Sequence, residues 1–287
     1  KKEKFFFFGF GQTAKYFVKE LSKSKKNFSF YATTTKKTVN KFINKKRINL
    51  FKFNEHGYNK KLLKFLKESD YILISIPPQS SKDVVLKTFG KFLKNLKFKK
   101  LIYLSATSVY GNHNGKWVNE KSKLKGKTKF GLRRKIVEKA WIKLRNLTKL
   151  DINILRVSGI YSKENNVLKK IINNNIYVKE KKYFSRIRIE DLALIIKKTF
   201  YSKKKFLILN ASDDKPSTNI EVASYAANLL KIKINPVPIS KFKNKMIKEF
   251  YKDSKRVSNT NMKKKLKLKL KYPTYKKGLI DIFNNFN

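Results

Sequence analysis

Lys4-Phe5-Phe6-Phe7-Phe8-Gly9-Phe10-Gly11-Gln12-Thr13-Ala14 decides the reading, because it sets an apolar run directly against a G-x-G-x-x-A turn. A run this short, stopped at once by glycine, reads as a buried strand. Residues 12–22 then carry a helical period, so the turn joins a strand to a helix. Gly9 permits the tight turn, Gly11 lets the backbone approach a pyrophosphate, and Ala14 keeps the helix close to the sheet. The unpaired N–H groups of the helix start face the anion. Gly9, Gly11, Gln12, Thr13 and Ala14 are therefore the first candidate binding residues.

Outward from this turn, strand-like runs at 4–8, 28–32, 48–53, 71–76, 101–105 and 152–157 alternate with helical stretches at 12–22, 59–68, 82–93 and 131–147. In the last of these, Leu132, Ile136, Val137, Ala140, Trp141 and Leu144 make one wide apolar face. Alternation with short connections implies parallel βαβ units covered on both faces. The fold expected is α/β: a Rossmann-type doubly wound parallel sheet with a small C-terminal substrate lobe. Residues 1–160 form the dinucleotide-binding domain, rejoined by 206–230, and 161–205 with 231–287 form the lobe. Beyond residue 160 a helix at 190–200, a strand at 206–210 and a helix at 220–230 precede a lysine-rich tail. The Lys/Leu alternation from Lys263 to Lys271 reads as an exposed edge element.

An NAD site places Asp or Glu about 20 residues after the glycines, on the ribose 2′-hydroxyl. Here no acidic residue occurs between Leu21 and Asn54, and the second strand runs into Ala32-Thr33-Thr34-Thr35-Lys36-Lys37. Hydroxyls and ammonium groups suit a 2′-phosphate, so NADP(H) is expected over NAD(H), with Thr34, Thr35 and Lys36 in contact. Asn54, and Ile76 with Pro77 after the fourth strand, complete the expected cofactor wall.

Over 287 residues, Lys+Arg 71 stand against Asp+Glu 19, a net charge of +52. Hydrophobic residues make up 41%, enough to bury a core, so the charge does not imply disorder. Only eight of the basic residues are Arg, the fork that reads bases and phosphates, and the lysines are spread along the whole chain. Lys, Asn, Ile, Phe and Tyr are the residues of A/T-rich codons, which explains much of the excess. No specific nucleic-acid partner is expected, although the field steers anionic ligands inward. With no Cys and only His56 and His113, disulfides, thiol catalysis and a multi-His metal site are excluded. No run of about 18 apolar residues spans a membrane, and a cytoplasmic location is expected.

Five further strings lie in order along the chain. They are Leu104-Ser105-Ala106-Thr107-Ser108-Val109-Tyr110-Gly111, Asn119-Glu120, Leu155-Arg156-Val157-Ser158-Gly159-Ile160-Tyr161, Arg186-Ile187-Arg188-Ile189-Glu190-Asp191-Leu192-Ala193 and Leu209-Asn210-Ala211-Ser212-Asp213-Asp214-Lys215-Pro216. Together they resemble the extended short-chain dehydrogenase/reductase superfamily across nearly the whole chain. Ser254-Lys255-Arg256-Val257-Ser258-Asn259 and Tyr272-Pro273-Thr274-Tyr275 are similar to the C-terminal pattern of an atypical bacterial subgroup, nucleoside-diphosphate-sugar epimerase-like.

The resemblance implies a Ser/Thr, a Tyr and a Lys in Tyr-x-x-x-Lys. The Tyr moves the hydroxyl proton, the Lys lowers its pKa and holds the cofactor ribose, and the Ser/Thr bonds the substrate oxygen. Anchored on Glu138, the register puts Phe130 at the Tyr position, Arg134 at the Lys position and Ala106 at the Ser/Thr position. The usual triad is absent, and no tyrosine lies between Tyr110 and Tyr161 to replace Phe130. Thr107 and Tyr110 are the candidate catalytic substitutes, with Ser108 beside them. Arg134 is a candidate ribose or phosphate contact, and Arg156, Arg186 and Arg188 are the candidate anchors of an anionic substrate such as a nucleotide sugar. Two functions follow: an atypical NADP-dependent oxidoreductase or nucleotide-sugar-modifying enzyme, or a dinucleotide-binding protein without turnover. Relatives are often dimers, so a homodimer is expected.

Overall fold

Phe5, Phe6, Phe7 and Phe8 have no solvent exposure, as a strand covered on both faces requires. They form β1 (Glu3–Phe8), the first element of a computed structural model that describes residues 2–36, 40–79, 82–174 and 176–285. Then come α1 (Gln12–Leu21), β2 (Phe28–Thr34), β3 (Lys41–Ile43), β4 (Lys46–Asn54), β5 (Gly57–Tyr58), α2 (Leu62–Lys67), β6 (Tyr71–Ile74), α3 (Val84–Lys94) and β7 (Lys100–Ala106). The middle of the chain carries β8 (Trp117–Val118), α4 (Lys129–Thr148), β9 (Ile152–Val157), β10 (Gly159–Tyr161), α5 (Val167–Asn173), β11 (Ile176–Val178), β12 (Tyr183–Phe184), β13 (Arg186–Arg188) and α6 (Ile189–Phe200). The remainder holds β14 (Ile208–Ala211), β15 (Ser217–Thr218), α7 (Asn219–Leu230), β16 (Asn235–Val237), α8 (Lys245–Phe250), β17 (Arg256–Val257), α9 (Thr260–Leu266) and α10 (Tyr275–Asn284).

One large sheet runs in the order β14-β9-β7-β6-β1-β2-β4-β3, with β5 paired to β4. The pairs β1/β2, β1/β6, β2/β4 and β6/β7 are parallel, while β3 and β5 pair antiparallel with β4. Chain order reverses at β1, with β2 and β4 to one side and β6 and β7 to the other. This is the topological switch point, where open α/β sheets bind ligands beyond the carboxyl ends of their strands. The architecture is the doubly wound sheet expected.

The chain forms two compact units. The first comprises Lys1–Ser105, Arg133–Leu155 and Leu192–Ile208, and the second Ala106–Leu132, Arg156–Asp191 and Leu209–Asn287. This differs from the expected division at both helices of the later chain. The α6 helix belongs to the first unit, because Phe200 packs its ring on Phe5, Phe17 and Tyr71 at centroid distances of 5.6, 5.6 and 5.3 Å. The α7 helix belongs to the second, where Val222, Ala223 and Ala226 share a core with Leu168, Tyr275 and Leu279. Hydrophobic surface rather than chain order assigns them.

Two local expectations are corrected. Along α4 only Val137, Trp141 and Leu144 of the wide apolar face are buried, a stripe at i, i+4 and i+7, while Leu132 and Ile136 are exposed. The Lys/Leu alternation is not an edge strand: α9 ends at Leu266, and Lys267 turns left-handed at φ 49°. The leucines Leu266, Leu268 and Leu270 are nonetheless buried, so side-chain burial and not strand pairing explains their spacing. Among the described residues no helix is long and apolar enough to cross a membrane.

Phe200→Ala should cost about 3–5 kcal/mol, the usual range for an aromatic core truncation. Urea denaturation measures it, and a loss below about 1 kcal/mol would contradict the placement of α6.

Candidate active site

At the end of β1 the backbone of Gly9 turns with φ +90°, and a Cβ there would lie 3.0 Å from both Ile76 Cγ1 and Ser75 Oγ. Only glycine fits. The Gly9 N–H donates to Thr33 Oγ1 at 2.8 Å, and Ser75 Oγ donates toward the carbonyls of Phe8 and Gly9 at 3.1 and 3.0 Å. Gly11 caps α1 in extended backbone without any side-chain hydrogen bond to the first turn. A Cβ built on Gly11 meets nothing within 4 Å. The helix start therefore has an open side, and Ala14 is buried beneath it. Gln12 and Thr13 form the first helical turn.

Around this turn, Thr34 ends β2 and accepts from the Lys36 N–H at 3.2 Å, with Thr35 and Lys36 exposed. Thr33, by contrast, is buried and occupied by Gly9. Lys37 lies outside the described residues. Asn54 ends β4, where its Oδ1 accepts from the His56 N–H at 3.0 Å. Ile76 covers Gly9 and Pro77 follows it exposed. Arg134 Nη1 donates to the Leu104 carbonyl at 2.7 Å and to the Tyr103 hydroxyl at 3.2 Å, which ties the guanidinium to β7.

Ser105, near the end of β7, is buried and donates to Glu138 Oε2 at 2.8 Å. Its hydroxyl is thereby committed to α4. Ala106 leads instead into a 3-10 turn, Thr107–Tyr110. A cavity of about 250 Å³ in the second unit is lined by Ala106, Thr107, Ser108, Thr128, Phe130 and Ser158, with Phe184, Phe250, Asp253 and Lys255 from later in the chain. Gly131 makes the approach possible, since a Cβ there would lie 2.6 Å from the Ser108 carbonyl oxygen. Ala106, Phe130 and Thr107 thus meet at one cavity.

Tyr110 is elsewhere. Its buried hydroxyl donates to Asn210 Oδ1 at 2.7 Å and accepts from Arg156 Nη1 at 3.0 Å. Burial raises its pKa, with Arg156 opposing. Arg156 also donates to the Glu120 carbonyl at 3.2 Å and lies 5.1 Å over the Tyr110 ring. Arg186 donates to the carbonyls of Phe184 and Ser217 at 3.1 and 3.0 Å and to Asn219 Oδ1. Arg188 is buried, bonded to Glu190 at 2.6 Å, to the Gly278 carbonyl at 2.8 Å and to Asp281 at 3.0 Å. None of the three arginines is among the residues lining the cavity. A scarce cation in this chain serves as a brace.

Sequence reasoning quoted Ser158 and Lys255 inside motifs but gave neither a role. Ser158 is buried and its Oγ has no hydrogen-bond partner. The Lys255 side chain is 11% exposed, and its ammonium sits 3.6 Å from Asp253 Oδ2. Burial lowers its pKa, and Asp253 opposes that shift. The strings at 155–161 and 254–259 were the available signals.

No family model matches the chain, and no curated protein matches it. Solved structures do. A functionally unknown conserved protein from Silicibacter pomeroyi DSS is 27% identical, with 99% of each chain covered and a TM-score of 0.86. UDP-N-acetylglucosamine 4-epimerase from Bacillus cereus matches with TM-score 0.77 and 15% identity over 99% of both chains. dTDP-glucose 4,6-dehydratase from Bacillus anthracis, in complex with NAD, matches with TM-score 0.77 and 14% identity over 98% of this chain and 96% of that one. The fold is that of the extended short-chain dehydrogenase/reductases. Within that fold, the glycine turn stands at the switch point of the sheet.

Two outcomes test this geometry. Tyr110→Phe leaves Asn210 and Arg156 short of a partner and should cost about 1–3 kcal/mol; a neutral result in thermal denaturation would contradict the brace. Asp213 is buried, its pKa pushed up to about 8 by burial despite the Lys215 N–H and Arg186. Because the folded pKa exceeds the unfolded value of about 3.9, stability should fall as pH rises from about 4 to 8. Asp213→Asn should flatten that slope in urea midpoints taken at pH 5 and pH 8, and an unchanged slope would contradict it.

Proposed function

We propose that the chain binds a nicotinamide dinucleotide on the Gly9–Ala14 turn and acts as an atypical oxidoreductase or nucleotide-sugar-modifying enzyme without the usual Ser/Thr-Tyr-Lys set. One observation carries the reading: a helix start with no side-chain cap and open space where a Gly11 side chain would stand. The N–H groups of the first turn of α1 hold the diphosphate. Asn54, Ile76 and Pro77 flank the adenosine half, and Arg134, fixed by Leu104 and Tyr103, offers further N–H groups to a ribose or phosphate oxygen. Such a cofactor, when bound, supplies reversible hydride exchange.

The side chains at the end of β2 favour NADP(H), since Thr34, Thr35 and Lys36 offer hydroxyls and an ammonium and no carboxylate. The dehydratase of the same fold is a complex with NAD, so the preference is tested directly. The substrate class proposed is an anionic nucleotide sugar, in keeping with the compounds the neighbouring enzymes are named for. Its reacting part enters the cavity at Thr107 and Phe130. Phenylalanine and alanine at the triad positions carry no exchangeable proton, which also favours a second reading: dinucleotide binding without turnover, in a redox-responsive or partner-binding protein.

Fluorescence titration should give NADPH at least about tenfold tighter binding than NADH, a difference of roughly 1.4 kcal/mol. Tighter NADH binding would reverse the preference. Gly11→Val, in extended backbone with space around it, should fold with wild-type stability and lose dinucleotide binding. If it binds as wild type, the turn does not hold the diphosphate. Hydride exchange with nucleotide sugars separates the two readings: turnover supports the enzyme, and binding without turnover supports the second.

A further inference from the structure

The cavity beside Phe130 contains a buried hydroxyl without a partner and a nearly buried ammonium. Ser158 is 4% exposed, and its Oγ is buried with no hydrogen-bond partner. A buried hydroxyl left unpaired costs free energy, and such a group in a native fold calls for a missing partner. Lys255 carries three N–H donors on a side chain that is 11% exposed, yet its one ion pair, to Asp253, spans 3.6 Å. That separation is beyond the 2.7–3.2 Å of a normal N–H···O bond. Both residues line the same cavity, as do Thr107 and the ring of Phe250, which stacks on Phe184 at 4.4 Å. Aromatic walls around a few polar groups, one of them an unpartnered hydroxyl, are the composition of a ligand site.

We propose that Lys255 and Ser158 are the polar anchors of this cavity, donating to carbonyl or hydroxyl oxygens of the ligand where Ala106 and Phe130 offer none. This rests on the reading of the cavity as a substrate site. At about 250 Å³ the cavity holds one compact oxygen-bearing moiety, not a whole nucleotide sugar. Asp253 offsets the ammonium, so the anchored moiety is uncharged: an anion there would meet a carboxylate 3.6 Å from the lysine.

The test uses Ser158→Ala and Lys255→Met, with UDP-N-acetylglucosamine and dTDP-glucose as probes in calorimetry on protein saturated with dinucleotide. Removing a group that has no partner should leave the melting temperature of Ser158→Ala unchanged or raised, while probe affinity falls about fivefold to tenfold. A structural role would produce the opposite pattern. Lys255→Met should lose more affinity still, and Lys255→Arg should recover part of it. Wild-type affinity in Ser158→Ala, or no binding of either probe to wild-type protein, overturns the proposal. Dinucleotide affinity measured in the same samples keeps the two ideas apart. If it is intact, only the anchors fail; if the wild-type protein takes up no dinucleotide, the functional reading fails as well.

Discussion

The backbone at Gly9 can turn with φ +90° only because no side chain competes with Ser75 and Ile76 for the space against it. Everything at the carboxyl edge of the sheet follows from that turn. It passes the chain from β1 into α1 and is held by Thr33 on one side and Ser75 on the other. Four consecutive buried phenylalanines fix the strand that delivers it. Full burial of each is worth about 1.5–3 kcal/mol, so the turn hangs from one of the best-anchored segments of the chain.

Buried hydrogen bonds commit two of the hydroxyls at and beyond the end of β7. Ser105 is drawn away by Glu138, and Tyr110 is locked between Asn210 and Arg156. These are buried hydrogen bonds that order the strand end, and they leave a cavity lined with Ala106, Phe130, Thr107 and Ser158. The arginines behave in the same way. A planar guanidinium can reach several acceptors at once: Arg186 takes two backbone carbonyls and Asn219, Arg156 the Glu120 carbonyl and the Tyr110 hydroxyl, and Arg188 the Gly278 carbonyl with two carboxylates. In a chain with 63 lysines, the residue kept scarce is the one needed for internal bracing.

The doubly wound sheet was legible because its signals are local: an apolar run, a glycine pair and a helical period fall within a dozen residues at β1 and α1. Less legible was whatever depends on packing between distant segments. Nothing near Phe200 announces that it will meet Phe5 edge-on, and nothing near Val222 announces its core with Tyr275. Leu266, Leu268 and Leu270 mimic a strand because period-2 spacing also fits leucines buried from an irregular segment. Among the candidate site residues, Thr107 reached the cavity while Tyr110 and the arginines went to the frame. Hydroxyl and charge identify a group that needs a partner but not which partner it finds. Ser158 lay in a quoted string without a role for the converse reason, since an unfilled bond is a property of the folded chain alone.

The most direct measurement is a crystal structure of the protein grown with NADP(H). The account predicts a diphosphate within hydrogen-bonding distance of the Gln12 and Thr13 amides, with the adenosine 2′-phosphate beside Thr35 and Lys36. A dinucleotide bound elsewhere, or a Gly11 edge closed by neighbouring side chains, would contradict it.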